Sequence, residues 1–250
     1  MERNPNLWSM LLKFGSEKNI RSLQAGNFYM KNLQYYIDLE KTSDDESVGD
    51  KYEGQMVLQD VKINIFTVDT HEFIAQLSAP VSSIGLGYQN IPVFCMYMLD
   101  DRNITSIKQI GEDDIEIKYS FSAEQSEKMR DFGDTVLLIE NGNEFVRRIS
   151  EAAKKENVGF TRDFVKYHDG NSLEQLKEVQ SNNLRAAFWK RQKYAYQQEY
   201  RYAFHTEAED FMQLDIGDIS DISRIMKTKE LLNMELCLHA KGHYSENHEE

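Results

Sequence analysis

Asn183 to Arg201 sets Arg185, Lys190, Arg191, Lys193 and Arg201 against a single acid, Glu199, with Phe188, Trp189, Tyr194, Tyr196 and Tyr200 interleaved. The whole chain has 29 basic and 42 acidic residues, a net charge of −13, so this strip inverts the local charge. Cations among aromatic faces suit a phosphate-bearing, stackable ligand such as a dinucleotide or a single-stranded nucleic acid. Arg185, Lys190, Arg191 and Lys193 are its candidate phosphate contacts. Read as one strand from Tyr196 to His205, the segment alternates. Tyr196, Gln198, Tyr200, Tyr202 and Phe204 fall on one face; Gln197, Glu199, Arg201, Ala203 and His205 fall on the other. The second face offers a carboxylate between an amide and a guanidinium. The same residues also fit a solvated ladder backed by a Tyr/Phe core side, and the alternation does not choose between the two.

Other clusters are weaker. His239, His243 and His248 have metal-like spacing but sit in a polar tail, and no metal site is expected. Residues 38–53 hold Asp38, Glu40, Asp44, Asp45, Glu46, Asp50 and Glu53 against Lys41 and Lys51, which reads as a solvated acidic loop. Gly-x-Ser-x-Gly is absent. Cys95 and Cys237, without a close Cys neighbour, read as reduced core thiols.

Several elements must position these groups. Ser9 to Phe14 reads as a strand, Ser16 as the N-cap of a helix carrying Ile20 and Leu23, and Gly26 as its end before a strand over Asn27 to Lys31. Val57 to Val68 and Pro92 to Leu99 read as strands, as do Thr135 to Ile139, Phe211 to Ile216 and Ile222 to Met226. Helices are expected over Asn143 to Glu156 and within residues 172–192. With 40% hydrophobic and 28% charged residues and only 3 Pro, the chain is that of a globular protein. It is read as one α+β domain over residues 1–240 with a polar tail over 241–250. The longest apolar run, Ile91 to Leu99, is roughly half of a bilayer crossing, and a soluble, cytoplasmic chain is expected, one that does not bind nucleic acid or lipid through bulk charge.

Leu12-Lys13-Phe14-Gly15-Ser16, the helix through Asn19 to Leu23, Gly26 and Asn27-Phe28-Tyr29-Met30 together resemble the first nucleotide-binding unit of ADP-ribosyltransferases. Gln197-Gln198-Glu199 is similar to that family's Gln-x-Glu catalytic motif. The layout also resembles a bacterial family of unknown function with a late Glu-Tyr-Arg, matched here by Glu199-Tyr200-Arg201, and an Asn-Asp-Pro-Phe-Glu-like segment, matched by Tyr36 to Glu40 or Asp50 to Glu53. Lys13 stands where the transferases carry Arg or His, and Tyr29-Met30-Lys31-Asn32 stands where they carry Ser-Thr-Ser. The resemblance implies a split sheet, mixed or antiparallel, flanked by helices. It implies NAD as a consumed substrate, Glu199 on a ribose hydroxyl, and Gln197 orienting a macromolecular acceptor, protein or nucleic acid. Lys13, Phe14, Gly15, Tyr29, Asn32 and Arg201 are then the NAD-binding candidates, and toxins or defence effectors are the implied setting. The rivals are a non-catalytic module that uses the 185–201 strip to hold a nucleotide or nucleic acid, and a structural partner of another protein.

Overall fold

A computed structural model describes residues 10–42, 49–85, 89–169 and 173–241. The fold mixes antiparallel sheets with several helices, and the chain divides into two compact units. Unit 1 comprises residues 1–27, 96–149 and 216–250; unit 2 comprises residues 28–95 and 150–215.

In unit 1, strand Met10–Gly15 pairs antiparallel with strand Thr135–Ile139 on one side and with the Tyr97 to Leu99 part of strand Pro92–Leu99 on the other. Strand Ser223–Lys227 continues from Thr135–Ile139, also antiparallel. Leu12, Val136 and Leu137 are fully buried there. The helix after the first strand starts as the sequence indicates: the Ser16 side chain accepts from the Asn19 amide, and Glu17 pairs with Arg21 one turn on. Ile20 and Leu23 are its buried face, and Gly26 follows at φ +103°. A second antiparallel sheet joins strands Ile104–Gln109, Asp114–Tyr119 and Leu236–Lys241. The last of these takes in Lys241, the residue at which the polar tail was expected to begin; residues 242–250, with His243 and His248, lie outside the described residues.

Gly133 limits this unit most sharply. It sits at φ +133°, and a Cβ there would lie 2.2 Å from the backbone carbonyl carbon of Gly15. Backbone cannot step aside as a flexible side chain can. Gly133→Ala is therefore expected to lower unfolding free energy by about 2–3 kcal/mol. Urea denaturation checks this, and an unchanged midpoint would show that the loop yields.

In unit 2, strand Glu199–Phe204 lies between strand Pro92–Leu99 and strand Phe160–Phe164, antiparallel to the latter. Strand Asn27–Asn32 pairs with Pro92–Leu99, and Phe211–Asp215 follows outside it. Every residue of Glu199–Phe204 is buried. Phe28, Phe94, Phe160, Tyr202 and Phe204 pack edge-on or tilted around it. Leu33, Ile91, Val93, Ala187, Phe188 and Ala203 form the neighbouring core. Of the two readings the alternation left open, the solvated ladder fails, because strands on both edges and side chains on both faces enclose this strand. The strand runs over Glu199–Phe204, as its alternation indicates, and does not extend back to Tyr196: Gln192–Gln197 forms a 3-10 turn and Gln198 is left-handed at φ 39°.

Three further expectations need correction. Asp38 and Glu40 lie on helix Leu33–Thr42, and Glu53 and Asp50 are 0% and 1% exposed, so this acidic segment is not a solvated loop; residues 43–48 lie outside the described ones. Cys237 is exposed, because an outer strand turns it to solvent, and Cys95 is only half-buried, so neither is a full core thiol, though neither forms a disulfide. Val57 to Val68 becomes strand Gln55–Phe66, paired with strand Phe73–Gly85 in a long hairpin.

Candidate active site

A buried ionic network in unit 2 gathers most of the predicted chemistry. Strand Trp189–Arg191 alternates its side chains, so Lys190 and Arg191 point to opposite sides. Lys190 Nζ donates to Glu199 Oε1 at 2.6 Å and to Gln197 Oε1 at 2.7 Å. Arg201, two residues after Glu199 and so on the same strand face, donates from Nε and Nη2 to Glu199 Oε2 at 3.2 and 2.6 Å. Its Nη1 donates to the Ala187 carbonyl at 2.5 Å. The Arg201 Nη2 atom also lies 2.5 Å from Glu53 Oε1, so one nitrogen bridges two carboxylates. Neither Glu53 oxygen accepts a well-directed hydrogen bond, which makes this contact electrostatic rather than a formed bond.

On the other side of the strand, Arg191 donates from Nε to Asp50 Oδ1 at 2.7 Å and from Nη2 to Glu40 Oε2 at 2.5 Å. Lys193 Nζ reaches Glu40 Oε1 at 3.2 Å, and the Lys51 amide also donates to Glu40. Asp50 fixes its own turn by accepting from the Tyr52 amide. The Tyr194 ring packs under three of these cations, Lys190, Arg191 and Lys193. Lys190 and Arg201 thus face Glu199 and Glu53, while Arg191 and Lys193 face Glu40 and Asp50. In formal charge each group balances two cations against two acids, the condition under which ions tolerate burial, with Lys193 at the exposed end of its group.

Burial alone would push the Glu199 carboxyl up. The charges of Arg201 and Lys190, with their hydrogen bonds, more than reverse this and hold it far below the usual carboxylate range. Glu53 goes the other way: burial raises its carboxyl, and Arg201 and Lys190 offset only part of the rise. Two neighbouring carboxyl groups are thereby pushed apart, one held ionised and one proton-prone, the separation that acid–base sites use. Lys190 is itself held above its ordinary range, its burial outweighed by Glu199 and Glu53.

Glu40 also sits low, at about 2, where burial is overcome by the Lys51 amide, Arg191 and Lys193. Its side chain is 5% exposed. Both Glu40 and Glu199 have folded values below their unfolded ones, so their stabilisation is present above the ordinary carboxylate range and lost as pH falls. Glu53 has the opposite sign, and its contribution is lost as pH rises. Stability is therefore expected to fall between about pH 4.5 and pH 2, with Glu40 alone contributing on the order of 2–3 kcal/mol. Urea midpoints measured across that window check it, and a flat profile would mean that the network does not stabilise the fold.

Glu199, Gln197, Arg201, Lys190, Arg191 and Lys193 are thus brought together. Arg185 stands apart with Asp163 and Glu178. Asn32 is buried and clamps backbone, donating to the Ala208 and Glu209 carbonyls and accepting from the Tyr35 amide. Tyr29 is exposed and stacks on Phe211 with centroids 5.1 Å apart. Lys13, Phe14 and Gly15 belong to unit 1, where Lys13 lies opposite Leu137 and the buried Phe14 meets Tyr97 edge-on. Glu40, Asp50 and Glu53 were not expected at this site. The signal for them was the resemblance, which matched either Tyr36 to Glu40 or Asp50 to Glu53 to one motif; both segments reach the network.

Comparison with family models, with curated proteins and with solved structures gave no match.

Proposed function

We propose that the protein is an ADP-ribosyltransferase-like enzyme that consumes NAD and passes ADP-ribose to a macromolecular acceptor, with Glu199 at the reacting ribose. The observation that carries this reading is the pinning of both Glu199 oxygens by Lys190 and Arg201. A carboxylate oxygen has two acceptor positions, so Oε1, which meets Lys190 alone, retains one for a ribose hydroxyl, while Oε2 is taken by Nε and Nη2 of Arg201. The bond broken is the one between the nicotinamide nitrogen and the ribose carbon. Its electron pair leaves with nicotinamide, the ribose becomes cationic, and an acceptor nucleophile then closes on it. Lys190 and Arg201 offset much of the Glu199 charge, so Glu199 acts chiefly by fixing the ribose through a charge-assisted hydrogen bond in a site that needs no reorganisation. Gln197 shares the Lys190 ammonium with Glu199, and in this reading it orients the acceptor.

The binding-module reading has less support, because Arg185, Lys190, Arg191 and Lys193 each already meet a carboxylate. A phosphate would have to displace those partners. Incubating the full chain with NAD and separating the products tests the two. Free nicotinamide formed over repeated turnovers is the expected result. Nucleotide or oligonucleotide binding without any nicotinamide release would overturn the enzymatic reading in favour of the module.

A further inference from the structure

We propose that Glu116, Cys237 and His239 form a zinc-binding site on the outer sheet of unit 1. Cys237 and His239 are two apart on strand Leu236–Lys241, so both project from one face of the sheet. His239 lies directly opposite Glu116 in the antiparallel pairing with strand Asp114–Tyr119, and Cys237 lies opposite Lys118, diagonal to Glu116. The ladder itself therefore places the three ligands. The Cys237 sulfur, a His239 ring nitrogen and a Glu116 oxygen all lie within 4.8 Å of one another. A tetrahedral zinc ion needs such atoms about 3.3–3.7 Å apart, so side-chain rotations of roughly an ångström close the site. His239 Nε2 is already 3.5 Å from Glu116 Oε2.

The charges on that face favour Glu116 as a ligand. Lys118 is drawn to Glu235 at 3.2 Å, and Lys241 lies 3.7 Å from Asp114. Each of these cations thus has another acid, although Lys118 also feels the Glu116 charge, and Lys108, opposite Glu116 on strand Ile104–Gln109, is a second competing charge. A thiolate, imidazole and carboxylate set selects zinc over magnesium or calcium, which require oxygen ligands. Binding exchanges the thiol proton for the metal, which leaves a zinc–sulfur bond and a released proton. Three protein ligands leave the fourth position to water or an incoming group, the open coordination of reactive rather than closed structural zinc sites.

Zinc titration of the full chain by calorimetry, with cobalt as the spectroscopic probe, tests the site. One equivalent should bind, and the cobalt form should show a thiolate-to-metal charge-transfer band. Cys237→Ser should abolish the band. His239→Ala and Glu116→Gln should each weaken zinc binding by at least about tenfold, given that changes even to groups behind the ligands cost roughly 10–100-fold. The residues sit on an outer strand with Cys237 and His239 exposed, so circular dichroism of each variant should be unchanged. A double His243→Ala, His248→Ala variant should bind as the parent does. Absence of the charge-transfer band, zinc affinity indifferent to Cys237→Ser and His239→Ala, or affinity lost in the double variant would each overturn the proposal.

Discussion

Arg201→Ala is expected to cost about 3–5 kcal/mol of folding stability, the range seen when one partner of a buried ion pair is removed. The side chain is 1% exposed and touches Glu199, Glu53 and the Ala187 carbonyl. Its loss would leave the wholly buried Glu53 without its bridging cation and Glu199 with Lys190 alone. Burial already drives Glu53 toward its protonated form, so the variant should bind an extra proton there, and its stability deficit should shrink as pH is lowered toward the carboxylate range. Arg201→Lys keeps the charge but cannot span both carboxylates with one planar group, and should fall between the parent and the alanine variant. Urea denaturation of all three at two pH values measures this. A cost below about 1 kcal/mol would show that the two acids are not held by Arg201.

Glu199→Gln is expected to reduce nicotinamide release from NAD by about 10²–10³-fold, the size of effect found when one preorganised electrostatic contact to a reacting centre is removed. The amide keeps the shape of the side chain and loses the charge, so the ribose hydroxyl would meet a weaker acceptor. The substitution also strips a counter-charge from Lys190 and Arg201, whose ammonium and guanidinium lie 2.6 Å from the two oxygens. A stability loss therefore accompanies it, and the two effects need separate readouts. Assays run where circular dichroism shows the variant folded isolate the chemical one. Release that stays at the parental rate in a folded but destabilised variant would assign Glu199 to the fold alone.

The network explains why the strip over 185–201 reads so differently in sequence and in space. Alternating cations and rings, seen in one dimension, suggest a surface for phosphates. In the folded chain Arg191 takes Asp50 and Glu40, Lys190 takes Glu199, and Arg185 takes Asp163 and Glu178. A partner some 140 or 150 residues away leaves no periodicity for the strip to display, as for Asp50 and Arg191, 141 positions apart.

The sequence by itself determined the local elements, because their causes are local. The Ser16 cap, the Ile20 and Leu23 spacing and the Gly26 stop set one helix, and the short, mostly apolar run Thr135 to Ile139 set a buried strand. It also singled out Glu199 and Arg201, since one acid among cations is visible without a structure. Tertiary structure alone decided that Glu53 and Asp50 are interior groups, that strand Glu199–Phe204 has no wet face, and that Cys237 stands beside His239 and Glu116. Those outcomes depend on which strands become neighbours. Neighbours are selected by summed burial over the whole chain, and a charge is admitted to the interior only where that selection brings its opposite within hydrogen-bond distance.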